Sequence, residues 1–125
     1  MRLVFAAVTV LALAASSLLQ AVPLENKWRL QFSGNARSDG TLVLAITPSH
    51  GEPVTVPIEV AAGTRENMVA KRVVDVLREA IGADYKVERD DGEDVLVKRR
   101  LGRDRFNVTV VSNSIRGVRL NLDQE

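Results

Sequence analysis

Cysteine is absent from this 125-residue chain. That excludes disulfides, thiolate metal sites and a cysteine nucleophile together. Histidine is nearly absent as well. The single His50 cannot build a zinc site without thiolates or a second imidazole. It would also have to serve any serine relay from a loop, beside a sequence-adjacent Ser49 and with no glycine-flanked nucleophile turn in the chain. Aromatics make up 4% of the residues, and Trp28, Tyr85 and the phenylalanines read as core residues, so no exposed row is left for stacking bases. An excess of one charge is missing too: 17 Lys and Arg face 16 Asp and Glu. Any electrostatic function must therefore be local, and nucleic acid is not an expected partner.

Long apolar runs are missing after the first two dozen residues. The opening MRLVFAAVTVLALAASSLLQAVP places Arg2 before an uncharged run from Leu3 to Leu19, then small residues and Pro23, which is the layout of a secretory signal peptide. Leu19-Gln20-Ala21 is the favoured cleavage site, and Ala12-Leu13-Ala14 competes with it. The run is at the lower limit of a membrane span, about 17 residues. No cysteine follows it for lipid attachment. Residues 1–21 are thus read as a signal peptide and 22–125 as one domain with no membrane span after cleavage, periplasmic or secreted. Arg2 is the only charged residue removed, so the mature part carries 16 basic and 16 acidic side chains.

What is present is alternation. Trp28, Leu30 and Phe32 share one face of a strand, Leu42, Leu44 and Ile46 one face of a second, and Val54, Val56, Ile58 and Val60 one face of a third. The second and third read as a hairpin across PSHGEP, and Pro57 sends the third to an edge or a bulge. The period then changes. Val69, Val73, Val76, Leu77, Ala80 and Ile81 follow helical spacing, with Thr64 placed as amino-terminal cap, Glu66 at the positive end of the dipole and Gly82 as a left-handed stop.

Beyond the helix, YKVER and EDVLVKRR flank Asp90-Asp91-Gly92. A three-residue loop there sets Val87 opposite Val95, Tyr85 opposite Val97 and Arg89 opposite Glu93, with all four apolar residues on one face. A two-residue loop would split that set. Phe106, Val108 and Val110 form a further strand, SNS turns the chain, and Gly117 is read as a bulge before Val118, Leu120 and Leu122. The fold expected is α+β: a single amphipathic helix packed on a mostly antiparallel β-sheet of five to seven strands, in the order β-β-β-α-β-β-β-β.

Sites with chemistry are few. Asp90, Asp91, Gly92, Glu93 and Asp94 lack the ligand spacing of a calcium loop and fit turn chemistry. The remaining acids fall at turns and on the polar helix face instead of at strand ends where a glycosidase pair would stand. Asn107-Val108-Thr109 matches a glycosylation pattern but lies mid-strand. No catalytic residue, cofactor or metal is assigned. The basic run Lys98, Arg99, Arg100, Arg103 and Arg105, with Arg116 and Arg119 as possible neighbours, protects a strand end or binds an anionic or protein partner.

The succession DGTLVLAI, VTVPIEVAAGTRENMVAKRVVDVLREAI, YKVERDDGEDVLVKRR, GRDRFNVTVV resembles a β-β-α-β-β module of contractile phage tail sheath proteins and, more loosely, of flagellar hook and cap proteins. The shared places are Gly40-Thr41, Val54 to Val60, Gly63-Thr64, Met68 to Ile81 and Tyr85 to Arg100, within residues 38–111. The chain departs from tail sheaths in its leader and in a helix richer in charge and valine. The resemblance implies a shape. The functional expectation is an exported non-enzymatic interaction module of the cell envelope, with a self-assembling structural subunit or an enzyme inhibitor as alternatives.

Overall fold

A computed structural model describes residues 22–125; the leader read for residues 1–21 lies outside them. The elements are β1 (Lys27–Ser33), β2 (Gly40–Pro48), β3 (Val54–Val60), α1 (Glu66–Ile81), β4 (Tyr85–Asp90), β5 (Asp94–Arg99), β6 (Phe106–Asn113) and β7 (Arg119–Gln124). This is the expected α+β order. The strands, however, divide into two antiparallel sheets, β4-β5-β1-β7 and β3-β2-β6. One sheet was expected because local alternation reports which face is buried and carries nothing about which strands pair.

Both sheets turn their apolar faces toward one core. Leu30 and Phe32 of β1, Leu42, Leu44 and Ile46 of β2, Ile58 of β3, Val95 and Val97 of β5 and Phe106 of β6 are all at most 2% exposed. The sheets are joined by a backbone bridge between Glu25 and Phe106, with both N–H···O bonds at 2.9 Å, and by Trp28 Nε1 donating to the Phe106 carbonyl at 2.9 Å. The Tyr85 and Phe106 rings meet edge-on at 4.7 Å, a favourable arrangement of ring quadrupoles. The turn after β6 therefore leads from one sheet to the other instead of closing a hairpin.

The helix buries Val69, Ala70, Val73, Val74, Leu77 and Ile81, while Val76 is half-buried and Ala80 is exposed. Its buried stripe is rotated from the expected one because α1 packs chiefly on β3 and β4, at the margins of both sheets. Thr64 does not cap it. The Thr64 hydroxyl donates to the Ala61 carbonyl at 2.7 Å, and the capping comes from a distant loop: Asn35 Oδ1 accepts the Glu66 N–H at 3.0 Å, while Glu66 Oε2 accepts the Gly34 N–H at 2.8 Å. The loop before β2 thus supplies an acceptor for an unpaired N–H of the first helical turn that no neighbouring side chain provides. Gly82 is right-handed, at φ −62°.

The β4–β5 loop has three residues, as expected, but they are Asp91, Gly92 and Glu93, one position later. Val87 faces Val97, Tyr85 faces Arg99, and Arg89 faces Val95 instead of Glu93. Slippage by two in pairing keeps side-chain parity, so Tyr85, Val87, Val95 and Val97 still share the core face. Asp91 and Gly92 both take positive φ, 50° and 79°. Pro57 lies on an edge strand, as expected. The bulge is in β6, where the register against β2 shifts between Val43 and Leu44 and leaves Val111 extra; Gly117 is a turn residue at φ 86°. Val54, placed inward by alternation, is 41% exposed at the end of its strand.

Candidate functional site at the β5–β6 turn

The five basic residues singled out in the sequence do not form one patch. Lys98 lies on the outer face of β5 and is paired with Glu88 at 2.6 Å, an interaction that holds the Glu88 carboxyl below the usual range. Arg99 ends the strand, and its Nη1 donates to the Arg103 carbonyl at 2.7 Å. Arg100 reaches the helix end, where its Nε donates to the Gly82 carbonyl at 2.9 Å, a favourable place for a cation. Arg103 pairs with Asp84 at 3.0 Å. Arg105 offers its carbonyl to the Ser49 N–H, and its exposed side chain makes no ion pair among the described residues.

Lys98, Arg99 and Arg100 are brought together with Lys27 and Asn26 of the β1 end and with Leu101, around a shallow hollow of about 350 Å³. Arg103 faces a different hollow, with His50, Asp84, Tyr85 and Asp104. Arg116 and Arg119 do not join either: Lys98 pairs with Lys27 at one end of β1 and Arg119 with Ser33 at the other, about 20 Å apart along a strand. Three members of the site, Asn26, Lys27 and Leu101, were missed from sequence. Lys27 arrives through the β1–β5 pairing, which is non-local. Leu101 did carry a signal, since a lone leucine in RRLGRDR belongs to no periodic apolar face.

Leu101 is fully exposed, at 104% of its reference area. The turn beneath it is fixed by the Arg103 N–H to Arg100 carbonyl bond at 3.0 Å, by the Arg99 bond to the Arg103 carbonyl, and by Gly102 at φ 81°. So an apolar tip stands on a hydrogen-bonded turn, and neither Arg99 and Arg100 beside it nor Arg105 at the far end of the same turn has a carboxylate within ion-pair distance among the described residues.

The other chemical candidates resolve into structural roles. Ser49 Oγ lies 3.1 Å from His50 Nδ1, and Asp104 Oδ2 lies 3.6 Å from the same nitrogen. A relay needs the hydroxyl and the carboxylate on opposite ring nitrogens. Asn107 is buried and donates to the Pro23 carbonyl at 2.9 Å. A groove of about 820 Å³ runs beside Asp39, Thr41, Glu59, Thr64, Met68 and Arg72, but Asp39, Thr64 and Arg72 are engaged with the backbone of Ala62, Ala61 and Glu59. Among the described residues no cluster of three or more acidic or histidine side chains could hold a metal ion, and no helix is long and apolar enough to cross a membrane.

Fold and site thus define a small α+β domain with a cation-flanked apolar turn. No protein-family model matches the chain, and neither does any curated protein.

Proposed function

We propose that the mature chain is an exported, non-enzymatic interaction module that docks reversibly on an anionic lipid surface of the cell envelope through the β5–β6 turn. The observation that carries this reading is Leu101, wholly in water at the tip of a hydrogen-bonded turn beside Arg99 and Arg100, which have no carboxylate partner among the described residues. Removing one leucine side chain from water contributes about 1.5–3 kcal/mol, and each cation near an anionic membrane adds about 1 kcal/mol. With Arg99, Arg100 and Arg105 the sum is about 5 kcal/mol, comparable to a single myristoyl chain at roughly 10⁴ M⁻¹. That strength suits peripheral attachment.

The test is co-sedimentation of residues 22–125 with vesicles of phosphatidylglycerol and phosphatidylcholine. Binding is expected only to the anionic vesicles, weakened by salt and by Leu101→Ser. Equal binding by the variant carrying glutamine at Arg99, Arg100 and Arg105, or none by wild type, overturns the reading.

A further inference from the structure

Four strands form the margins of the two sheets: β3, β4, β6 and β7. An open margin leaves backbone N–H and C=O groups able to pair with another chain. Three of the four are obstructed. On β3, Pro57 has no N–H, and Arg72 Nε donates to the Glu59 carbonyl at 3.1 Å. On β4, Arg78 Nε donates to the Val87 carbonyl at 2.9 Å. β6 is met by the segment before β1: Phe106 exchanges both of its bonds with Glu25, Asn107 donates to the Pro23 carbonyl, and Val108 is 2% exposed.

β7 differs. The Glu125 N–H donates to the Lys27 carbonyl at 3.1 Å, and the same register runs on from Gln124 opposite Trp28 to Arg119 opposite Ser33. In an antiparallel ladder alternate residues direct their backbone groups to the same side. Asp123, Asn121 and Arg119 therefore bond to β1, while Leu120, Leu122 and Gln124 direct their N–H and C=O groups outward. Those groups meet no other strand among the described residues. The Leu120 and Leu122 side chains lie at the rim of the core and are only partly covered. On the opposite face Arg119 and Asp123 are exposed, and neither makes an ion pair among the described residues.

We infer that β7 is an interface for a second copy of this chain, paired antiparallel about a two-fold axis at Asn121. In that register Leu120 of each copy lies opposite Leu122 of the other, and each such pair exchanges both of its outward backbone bonds while covering the leucine flanks at the core rim. Arg119 of each copy lies opposite Asp123 of the other, so each gains the counter-ion it lacks in its own chain. Charge on an edge strand normally repels a second edge; here opposite signs stand at equal distances from Asn121, and opposite charges directly across a ladder attract. They also select the register. An axis at Leu120 or Leu122 sets Asp123 opposite Gly117 or Asn121 and forfeits the pair. Two four-stranded sheets become one of eight strands, and a two-fold contact of this kind closes at two copies. The ladder is short and its ion pairs are exposed, so the dimer is concentration-dependent and weakened by salt. The residues of the β5–β6 turn take no part in it, so it stands apart from the membrane reading.

The absence of cysteine permits a direct test on residues 22–125. Asn121 of one copy would face Asn121 of the other in a non-hydrogen-bonded pair, where Cα atoms come within about 4.5 Å, inside the range a disulfide spans. Asn121→Cys should therefore oxidise to a covalent dimer. Gln124→Cys, also exposed on β7 but set opposite Val118 of the other copy, should do so far less. Sedimentation equilibrium of the wild type should show mass rising toward two copies with concentration. Arg119→Asp, which brings like charges together, should stay a monomer with an unchanged circular dichroism spectrum, and adding Asp123→Arg to it should restore the dimer. A wild type that stays monomeric, mass growth beyond two copies, equal cross-linking at positions 121 and 124, or a charge-swapped double variant no more dimeric than Arg119→Asp overturns the inference. If Arg119→Asp unfolds, the cysteine comparison still decides it.

Discussion

Two regions built around arginine share the strands β1 and β5, and they are made differently. Arg29, on the outer face of β1, donates to Glu125 at 2.8 Å, Asp94 at 2.8 Å and Asp90 at 3.1 Å, and these bonds, Glu125's foremost, raise its pKa. Asp94 is 8% exposed. At the β5–β6 turn, Arg99 and Arg100 are held instead by one carbonyl each, those of Arg103 and Gly82. A carbonyl fixes a guanidinium without neutralising it, whereas a carboxylate does both. The first region is a structural lock; the second keeps its positive charge available. Residue type is the same in both, so the difference lies in which acceptors the pairing of strands delivers.

The largest expected effect that could break this contrast is at Arg29. Arg29→Met leaves Asp94 sheltered and unpaired beside Asp90, and should cost about 2–3 kcal/mol after allowing for partial exposure. Denaturant unfolding would check it, and Asp94→Asn should recover part of the loss. Next is the turn that carries Asp90 and Asp94 to Arg29. Gly92→Val forces a branched side chain to φ 79° with Asn67 atoms 3.2 Å from its Cβ, and should cost at least about 1 kcal/mol, read as a lower thermal midpoint.

Smaller still, glutamine at Arg99, Arg100 and Arg105 should change stability by less than about 1 kcal/mol while abolishing capture by anionic vesicles. A large loss of stability would make the turn a lock like the first region. The smallest effect sharpens the boundary between them. Lys98 lowers the Glu88 pKa, so the pair's contribution is complete above the ordinary glutamate value of about 4.3 and is lost as pH falls through the lowered folded value. Stability measured against pH should show this acid-side loss, below about 1 kcal/mol for so exposed a pair, and Lys98→Gln should remove it.

The strands, the single helix and their order were legible because burial on one face imposes a period of two or of 3.6 on the residues themselves. The three-residue hairpin was legible in its length and parity, but its register was not. Tyr85, Val87, Val95 and Val97 share a face in either register, so the apolar pattern could not choose between them. The site was legible in part. Lys98, Arg99 and Arg100 stand together in sequence and in space, Arg103 and Arg105 leave the group, and Lys27 enters it from the other end of the domain.

The sequence alone determined which segments are strand and which is helix, the absence of thiol chemistry and which face of β1, β2, β4 and β5 is buried, since these follow from the period of the side chains themselves. Tertiary structure decided the division into two sheets, the capping of α1 by Asn35, the bulge at Val111 and which arginines meet carboxylates. Each of those depends on residues far apart in the chain, and a periodic pattern holds no information about which distant strand will supply the next hydrogen bond.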